Sequence, residues 1–99
     1  MLMIVGTIRF PPDTMAEARP AMARMIAASR AEAGCLGYSY AEDVLEPGLV
    51  HVIEAWRDED CLSAHFASDH LARWRTACAA LGAFDRNLSR YEPGAGRPV

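Results

Sequence analysis

One stretch of this chain, Leu49–Trp56, decides its fold, and it reads L-V-H-V-I-E-A-W. Apolar residues occupy odd and even positions alike, whereas a strand covered on one side alternates apolar with polar residues. One face carries Val50, Val52, Glu54 and Trp56, and the other carries Leu49, Ile53 and Ala55. We therefore predict a strand over residues 49–57 whose two faces both need cover.

The segments around this strand predict further strands and helices. Apolar and β-branched runs predict strands over residues 2–10, 35–44 and 84–91. The turn signal Glu46-Pro47-Gly48 joins the second of these to the 49–57 strand as a hairpin. Apolar spacing of three and four residues predicts helices that end near Gly34 and Gly82, and the second is broken near Ser68. The order β-α-β-β-α-β predicts an α+β, ferredoxin-like fold with an antiparallel sheet.

The start of the first helix carries two signals that disagree. Thr14 followed by Glu17 is a capping-box pattern, which predicts a helix from residue 14 to about residue 33. Pro20 lies inside that span and would cost about 3 kcal/mol in a helix interior, so the regular helix could instead begin near Arg19. The predicted inner face is Met15, Ala18, Met22, Met25, Ile26 and Ser29, with Glu17, Arg24 and Glu32 elsewhere.

The second apolar face of the sheet predicts a partner, because two helices can cover only one face. A second copy of the same sheet is the simplest lid and gives an isologous homodimer whose sheets pack face to face. A hydrophobic fraction of 52% in 99 residues also favours self-association. We expect one domain over residues 1–92 and a loose tail over residues 93–99.

Charge and cysteine content exclude several kinds of partner. The net charge is −3 and the ten basic residues are spread along the chain, so we expect no nucleic acid and no membrane as partners. Three cysteines without a C-x-x-C pair fit neither a disulfide framework nor a zinc ribbon. The N-terminus shows no export signal, and these features together favour the cytoplasm.

Three motifs resemble the antibiotic-biosynthesis-monooxygenase family over about residues 2–92. They read E-A-G-C-L-G-Y-S-Y at residues 32–40, V-I-E-A-W at residues 52–56 and L-S-A-H-F-A-S-D-H at residues 62–70. The resemblance implies a dimeric α+β barrel with a pocket between the sheet and the helices of each protomer. Members of the family include monooxygenases that oxidise quinols or polyketide aromatics with O2 and no metal or flavin, haem-degrading enzymes and an isomerase.

The resemblance places the catalytic candidates Glu54, Trp56 and His65 under the helices. His65 is the candidate base, because a neutral imidazole can take the proton of a phenol or quinol, and the anion reduces O2 far more readily without a cofactor. Glu54 would orient the substrate or share the proton, and Trp56 would be a wall. The alternative is that His65 sits at the core edge, bonded to a carbonyl or to Glu54 for structural reasons alone.

Five further residues are candidates for substrate binding, namely Tyr38, Tyr40, Phe66, His70 and Trp74. Each also has a packing interpretation, because tyrosine is common in strands and large aromatic residues suit a core. For His70 the alternative is a hydrogen bond at a helix start. His65 and His70 are five residues apart and do not share a helix face, so we expect no metal and no cofactor.

Several functions remain open at this point. The first hypothesis is a cofactor-independent monooxygenase that oxidises a small quinol or phenolic aromatic with O2. The second is a non-enzymatic homodimer that binds small molecules, in which the same residues only pack. Haem degradation would use His65 and Trp56, although Gly6 and Thr7 stand where the haem-degrading relatives carry an asparagine in strand one. An isomerase of the same fold is the last alternative.

Overall fold

Four strands and three α-helices make up the fold, in the order that the sequence predicts. In the computed structural model, which describes residues 1–99, they are β1 (Leu2–Arg9), α1 (Met15–Arg30), β2 (Cys35–Glu42), β3 (Leu49–Trp56), α2 (Glu59–Phe66), α3 (Asp69–Ala80) and β4 (Phe84–Tyr91). The strands form one antiparallel sheet in the order β2-β3-β1-β4. Even the longest helix, α1, falls short of what a membrane span requires. The α+β, ferredoxin-like prediction is confirmed.

The helices cover one face of the sheet and leave the other open. Val50 and Trp56 on the inner face of β3 have no exposed surface, whereas Ile53 on the outer face is 48% exposed. Val5, which pairs with Ile53 across β1 and β3, is 39% exposed. Leu49 was predicted for the open face but is buried within the chain. The other residues of β3 lie on the faces that their positions in the sequence predict.

Helix α1 begins at Met15, so the later start near Arg19 is wrong. Pro20 lies inside the helix, where it cannot bond to the carbonyl of Ala16. Both Pro20 and Ala16 are exposed, so water can reach the carbonyl that loses its partner. This position makes the proline tolerable in the second turn of the helix.

A tertiary contact, and not a capping box, fixes the start of α1. Thr14 makes no side-chain cap, and its hydroxyl oxygen instead lies 3.0 Å from the carbonyl oxygens of Pro11 and Leu81. The capping-box prediction is therefore wrong, and the contact ties the helix start to the end of α3. The predicted inner face is confirmed except at Ile26, which is only half-buried, because the buried residues of α1 are Met15, Ala18, Met22, Met25 and Ser29.

Two irregularities set the positions of the cavity residues. The register of β2 against β3 shifts just after Cys35, and the shift leaves Leu36 59% exposed while Tyr38 points into the core. The helical break predicted near Ser68 is confirmed, since Asp58 caps α2 and Ser68 caps α3, each by accepting a backbone N–H bond. The chain turns at this break, so α2 and α3 are two separate helices.

Candidate functional site

A cavity of about 430 Å³ lies between the sheet and helices α2 and α3 and extends to β4. Twelve of its 18 lining residues are hydrophobic. Six of the residues predicted for the site line it, namely Tyr38, Tyr40, Glu54, His65, Phe66 and Trp74. Trp56 and His70 do not line it, and His70 borders a smaller cavity of about 180 Å³ instead. The prediction of Trp56 as a wall thus differs from what the structure shows.

Trp56 supports the cavity residues from behind. Its indole N–H donates to Oε1 of Glu54 at 3.1 Å, and its ring centroid lies 4.6 Å from that of His65. Both interactions come from the spacing on β3, because Glu54 and Trp56 are two residues apart and project from the same strand face. Trp56 therefore fixes the positions of the acid and the imidazole without reaching the cavity itself.

Glu54 is a buried carboxyl at the inner end of the cavity, only 4% exposed. Burial raises its pKa, and the hydrogen bond from Trp56 and the positive charge of Arg86 act in the opposite direction. Its Oε1 atom lies 3.9 Å from Nε2 of His65. A carboxyl with a raised pKa next to an imidazole can hold a proton or release it during a reaction, so Glu54 is placed to exchange a proton with His65.

His65 projects from α2 between two partners. Its Nδ1 atom lies 2.7 Å from Oε1 of Glu32, and its Nε2 atom lies 3.4 Å from the hydroxyl of Tyr38. A carboxylate can only accept, so we assign the proton of the neutral ring to Nδ1, which leaves the lone pair of Nε2 on the side of Tyr38 and Glu54. Burial lowers the pKa of His65, against the opposing effect of Glu32. The ring is thus held as a neutral base beside the cavity.

Glu32 is a site residue that the sequence reasoning missed. It was predicted on the outer side of a helix reaching residue 33, but α1 ends at Arg30 and the chain turns before Gly34, which has a φ of +77°. Past the helix end, the Glu32 side chain reaches His65 of α2. The available signal was its place at the head of the E-A-G-C motif, next to the glycine that ends the helix.

His70 joins the same carboxylate. Its Nε2 atom contacts Oε1 of Glu32, and its ring centroid lies 5.9 Å from that of His65. As predicted, His65 and His70 do not share a helix face, but the conclusion that they therefore do not come together is wrong. The break at Ser68 brings the first turn of α3 back toward the end of α2. The two histidines meet because they lie in different helices.

Tyr38 and Tyr40 stack on the inner face of β2, with ring centroids 5.6 Å apart. Burial raises the pKa of both phenols, to about 12 for Tyr40. Both rings consequently keep their hydroxyl protons over the physiological range and can donate hydrogen bonds. Tyr40 also packs edge-on against Trp74, at 5.9 Å between centroids. This group forms an aromatic wall with two hydroxyl groups.

Three arginines border the cavity, and no sequence argument pointed to them. Arg75 comes from α3, and Arg86 and Arg90 come from the inner side of β4. Arg90 is paired with Glu59, whereas Arg75 bonds only to the carbonyl of Phe66, at 3.4 Å. The cavity thus combines an apolar interior, one buried acid and a positively charged border.

The chain belongs to the antibiotic biosynthesis monooxygenase family, whose profile it matches over residues 1–77. It is similar to a solved structure from Deinococcus radiodurans that bears the same family name, at 26% identity and a TM-score of 0.92, with 100% of this chain and 98% of the other covered. A structure from Pseudomonas aeruginosa is 30% identical, with a TM-score of 0.85 and coverage of 95% and 94%.

Among curated proteins, an uncharacterized protein of Synechocystis is 32% identical over 69 residues, which are 70% of this chain. The match covers 47% of that protein, so the chain spans about half the length of this curated relative. These similarities establish the family and the fold. The reaction has to be argued from the site, because one scaffold can carry several chemistries.

Proposed function

We propose that the protein is a cofactor-independent monooxygenase that oxidises a small quinol or phenolic aromatic with O2. The observation that carries the proposal is the placement of His65, whose Nδ1 is held by Glu32 while Nε2 is directed toward Tyr38 and Glu54 at the cavity. A fixed tautomer with an unprotonated nitrogen on the cavity side is what a general base requires.

The reaction begins when Nε2 of His65 takes the hydroxyl proton of the substrate. The resulting phenolate gives up electrons to O2, which a neutral phenol does poorly. For a quinol, one oxygen atom enters the ring and the other leaves as water, so a quinol and O2 give a hydroxyquinone and water. The substrate supplies all four electrons, and no other reductant is needed. The proton on His65 can pass to the reduced oxygen, directly or through Glu54.

The cavity suits a substrate of this class. Its volume of about 430 Å³ lies within the range of small-molecule sites, and two thirds of its lining residues are apolar. The hydroxyls of Tyr38 and Tyr40 can donate to the oxygen atoms of a quinol. The apolar walls also keep water from the reduced oxygen intermediates.

One observation favours a second candidate, a binding protein without catalysis. Every buried side-chain polar atom has a hydrogen-bond partner, so the network around His65 is complete without a substrate. If the protein only binds small molecules, ligands would raise its melting temperature and none would be consumed. The experiment below separates the two candidates.

We also propose that the protein works as a cytoplasmic homodimer. The open face of the sheet carries exposed apolar residues, among them Val5 and Ile53, and a second copy can cover them. Three free cysteines fit a reducing compartment.

Oxygen consumption by metal-free protein tests the proposed reaction. With a panel of quinols, the wild-type protein should consume one O2 for each quinol, and His65→Gln should lower kcat by about 10²–10⁴-fold. The matched control is His51→Gln, the same change at an exposed histidine that pairs with Asp43 on the outer side of the sheet, and it should leave the rate unchanged. Glu32→Gln should lower kcat with little effect on KM, because a glutamine can donate to Nδ1 and reverse the tautomer.

Two results would reject this function. One is quinols that raise the melting temperature without any uptake of O2, which would indicate a binding protein. The other is a His65→Gln variant that remains folded and turns over at the wild-type rate.

A further inference from the structure

We propose that Glu32, His65 and His70 form a binding site for one divalent transition-metal ion. The three side chains come from the turn after α1, from α2 and from α3. One ligating atom from each lies within 4.8 Å of the other two. The ion proposed is of the class represented by Zn²⁺, and its site lies beside the cavity in which the quinol would bind, with His65 common to both.

The donor set defines the class of ion. Two imidazoles and one carboxylate suit zinc and its neighbours in the first transition row, whereas magnesium and calcium prefer sites made of oxygen ligands. Two histidines and one glutamate are also the ligands of several zinc sites that keep one position open. A single carboxylate leaves the bound ion with a net positive charge, so the imidazole nitrogens must provide much of the affinity.

The three ligand atoms, which lie within 4.8 Å of one another, would have to shift to the spacing of a zinc site. Ligands on a tetrahedral zinc ion, each about 2.0–2.1 Å from the metal, lie about 3.3 Å from one another. Nδ1 of His65 is now 2.7 Å from Oε1 of Glu32, and Nε2 of His70 contacts the same oxygen. The two rings therefore need to separate slightly from the carboxylate, and the ion takes the place of the protons that the three groups now share.

The surroundings provide a route and a support for the bound ion. The side chain of His70 is 20% exposed and borders the smaller cavity, so an ion can enter past it. Coordination through Nδ1 would move the ring proton of His65 to Nε2, which lies 3.4 Å from the hydroxyl of Tyr38 and can donate to its oxygen. Such a bond on the second ring nitrogen is a regular feature of histidine metal ligands.

Positive charges near the entrance argue against a site that acts by charge alone. Arg24 and Arg73 line the same small cavity as His70. A hard cation held only by electrostatic attraction would be disfavoured there, whereas a transition metal gains affinity from its bonds to nitrogen. This difference predicts that Zn²⁺ binds and Mg²⁺ does not.

Binding of metal would also change the proposed chemistry, and this consequence rests on the proposed function. With the ion on Nδ1, the other nitrogen of His65 carries a proton and has no lone pair for a substrate. A bound ion should therefore inhibit quinol oxidation. The binding experiment does not depend on this outcome, so the failure of either idea can be recognised by itself.

Calorimetric titration of the chelator-treated protein with Zn²⁺ tests the site. We expect one Zn²⁺ for each chain, no heat with Mg²⁺, and at least about tenfold weaker binding in His70→Ala and in Glu32→Gln. The matched control is His51→Ala, which removes an exposed histidine and should leave the affinity within about twofold. His70 is partly exposed, so its variant should stay folded, and circular dichroism checks this for each variant.

Titration with Co²⁺ identifies the ligands by absorption. Nitrogen and oxygen ligation gives weak bands in the visible range, and we expect these bands alone. An intense near-ultraviolet band would indicate binding to a cysteine thiolate and would overturn the proposal. Wild-type affinity in folded His70→Ala or Glu32→Gln, loss of binding in His51→Ala, or no stoichiometric binding at all would overturn it as well.

Discussion

The two faces of the sheet are built from the same strands but have opposite characters. The face under the helices carries a fully buried tryptophan, a buried glutamate and the tyrosine pair. On the other face, β1 and β3 present exposed Val5 and Ile53, and no element of the chain covers them. Side chains that alternate along the same strands therefore form two surfaces, of which only one is covered. One is covered by the chain itself, and the other is left for the second copy in the proposed homodimer.

The largest effect should come from a change on the covered face. Trp56→Ala removes a residue with no exposed surface and also leaves Glu54 without its indole partner. We expect a loss of about 3–5 kcal/mol in the free energy of unfolding, measured by urea denaturation. The control is Leu36→Ala, a large apolar residue that is 59% exposed and should change stability by about 0.5 kcal/mol or less. Equal losses in both variants would show that burial under the helices does not determine the contribution of a side chain to stability.

A charge on the open face should act on assembly and not on the fold. Ile53→Asp places a carboxylate in the middle of the proposed dimer interface, and we expect dimerisation to weaken at least about a hundredfold. Sedimentation should show two copies for the wild-type protein at micromolar concentration and one copy for the variant. Val44→Asp is the control, because Val44 is 95% exposed in the loop between β2 and β3 and lies away from the sheet face. A wild-type chain that sediments as a single copy would disprove the proposed dimer.

The sequence predicts most of the covered face, but it does not predict the contacts between the polar residues there. Periodicity placed β3, its two faces and the break at Ser68, because each depends on local spacing or a local cap. The contact between Glu32 and His65 joins residues 33 positions apart, and it depends on how far α1 extends and how the turn after it points. The spacing of apolar residues specifies neither the end of the helix nor the direction of the turn. The approach of His70 to His65 likewise depends on the direction in which the chain turns at Ser68, which local spacing does not specify.

The arginines around the cavity were missed for a different reason. Arg86 and Arg90 alternate with polar residues on β4, and every residue of that strand except Leu88 is exposed. An exposed arginine in an edge strand is typical of an ordinary protein surface. These arginines border a site only because the space between β4 and the helices is open. A cavity is a property of what the chain leaves unfilled, so single-sequence patterns carry little information about it.

The smallest effect concerns Asp58, which caps α2 and so helps to hold His65 over the covered face. Its carboxylate accepts a bond from the backbone N–H of Cys61 at 2.9 Å, and this bond, followed by those from the Cys61 thiol and Arg57, lowers its pKa from 3.8 to about 2. A folded-state pKa below the unfolded value means that the ionised cap stabilises the protein above about pH 4, and that this contribution is lost as the pH falls through about 2.

Asp58→Asn keeps a capping oxygen but cannot ionise, so its melting temperature should fall less steeply than that of the wild-type protein between pH 4 and pH 2. Asp43, in the loop after β2, offers a comparison, because its pKa is lowered first by its bond to His51 and no helix depends on it. Asp43→Asn should therefore leave the signal of α2 in hydrogen exchange unchanged, whereas Asp58→Asn should make that helix insensitive to acid over this range. If both variants change the hydrogen exchange of α2 equally, the Asp58 cap does not act locally on α2.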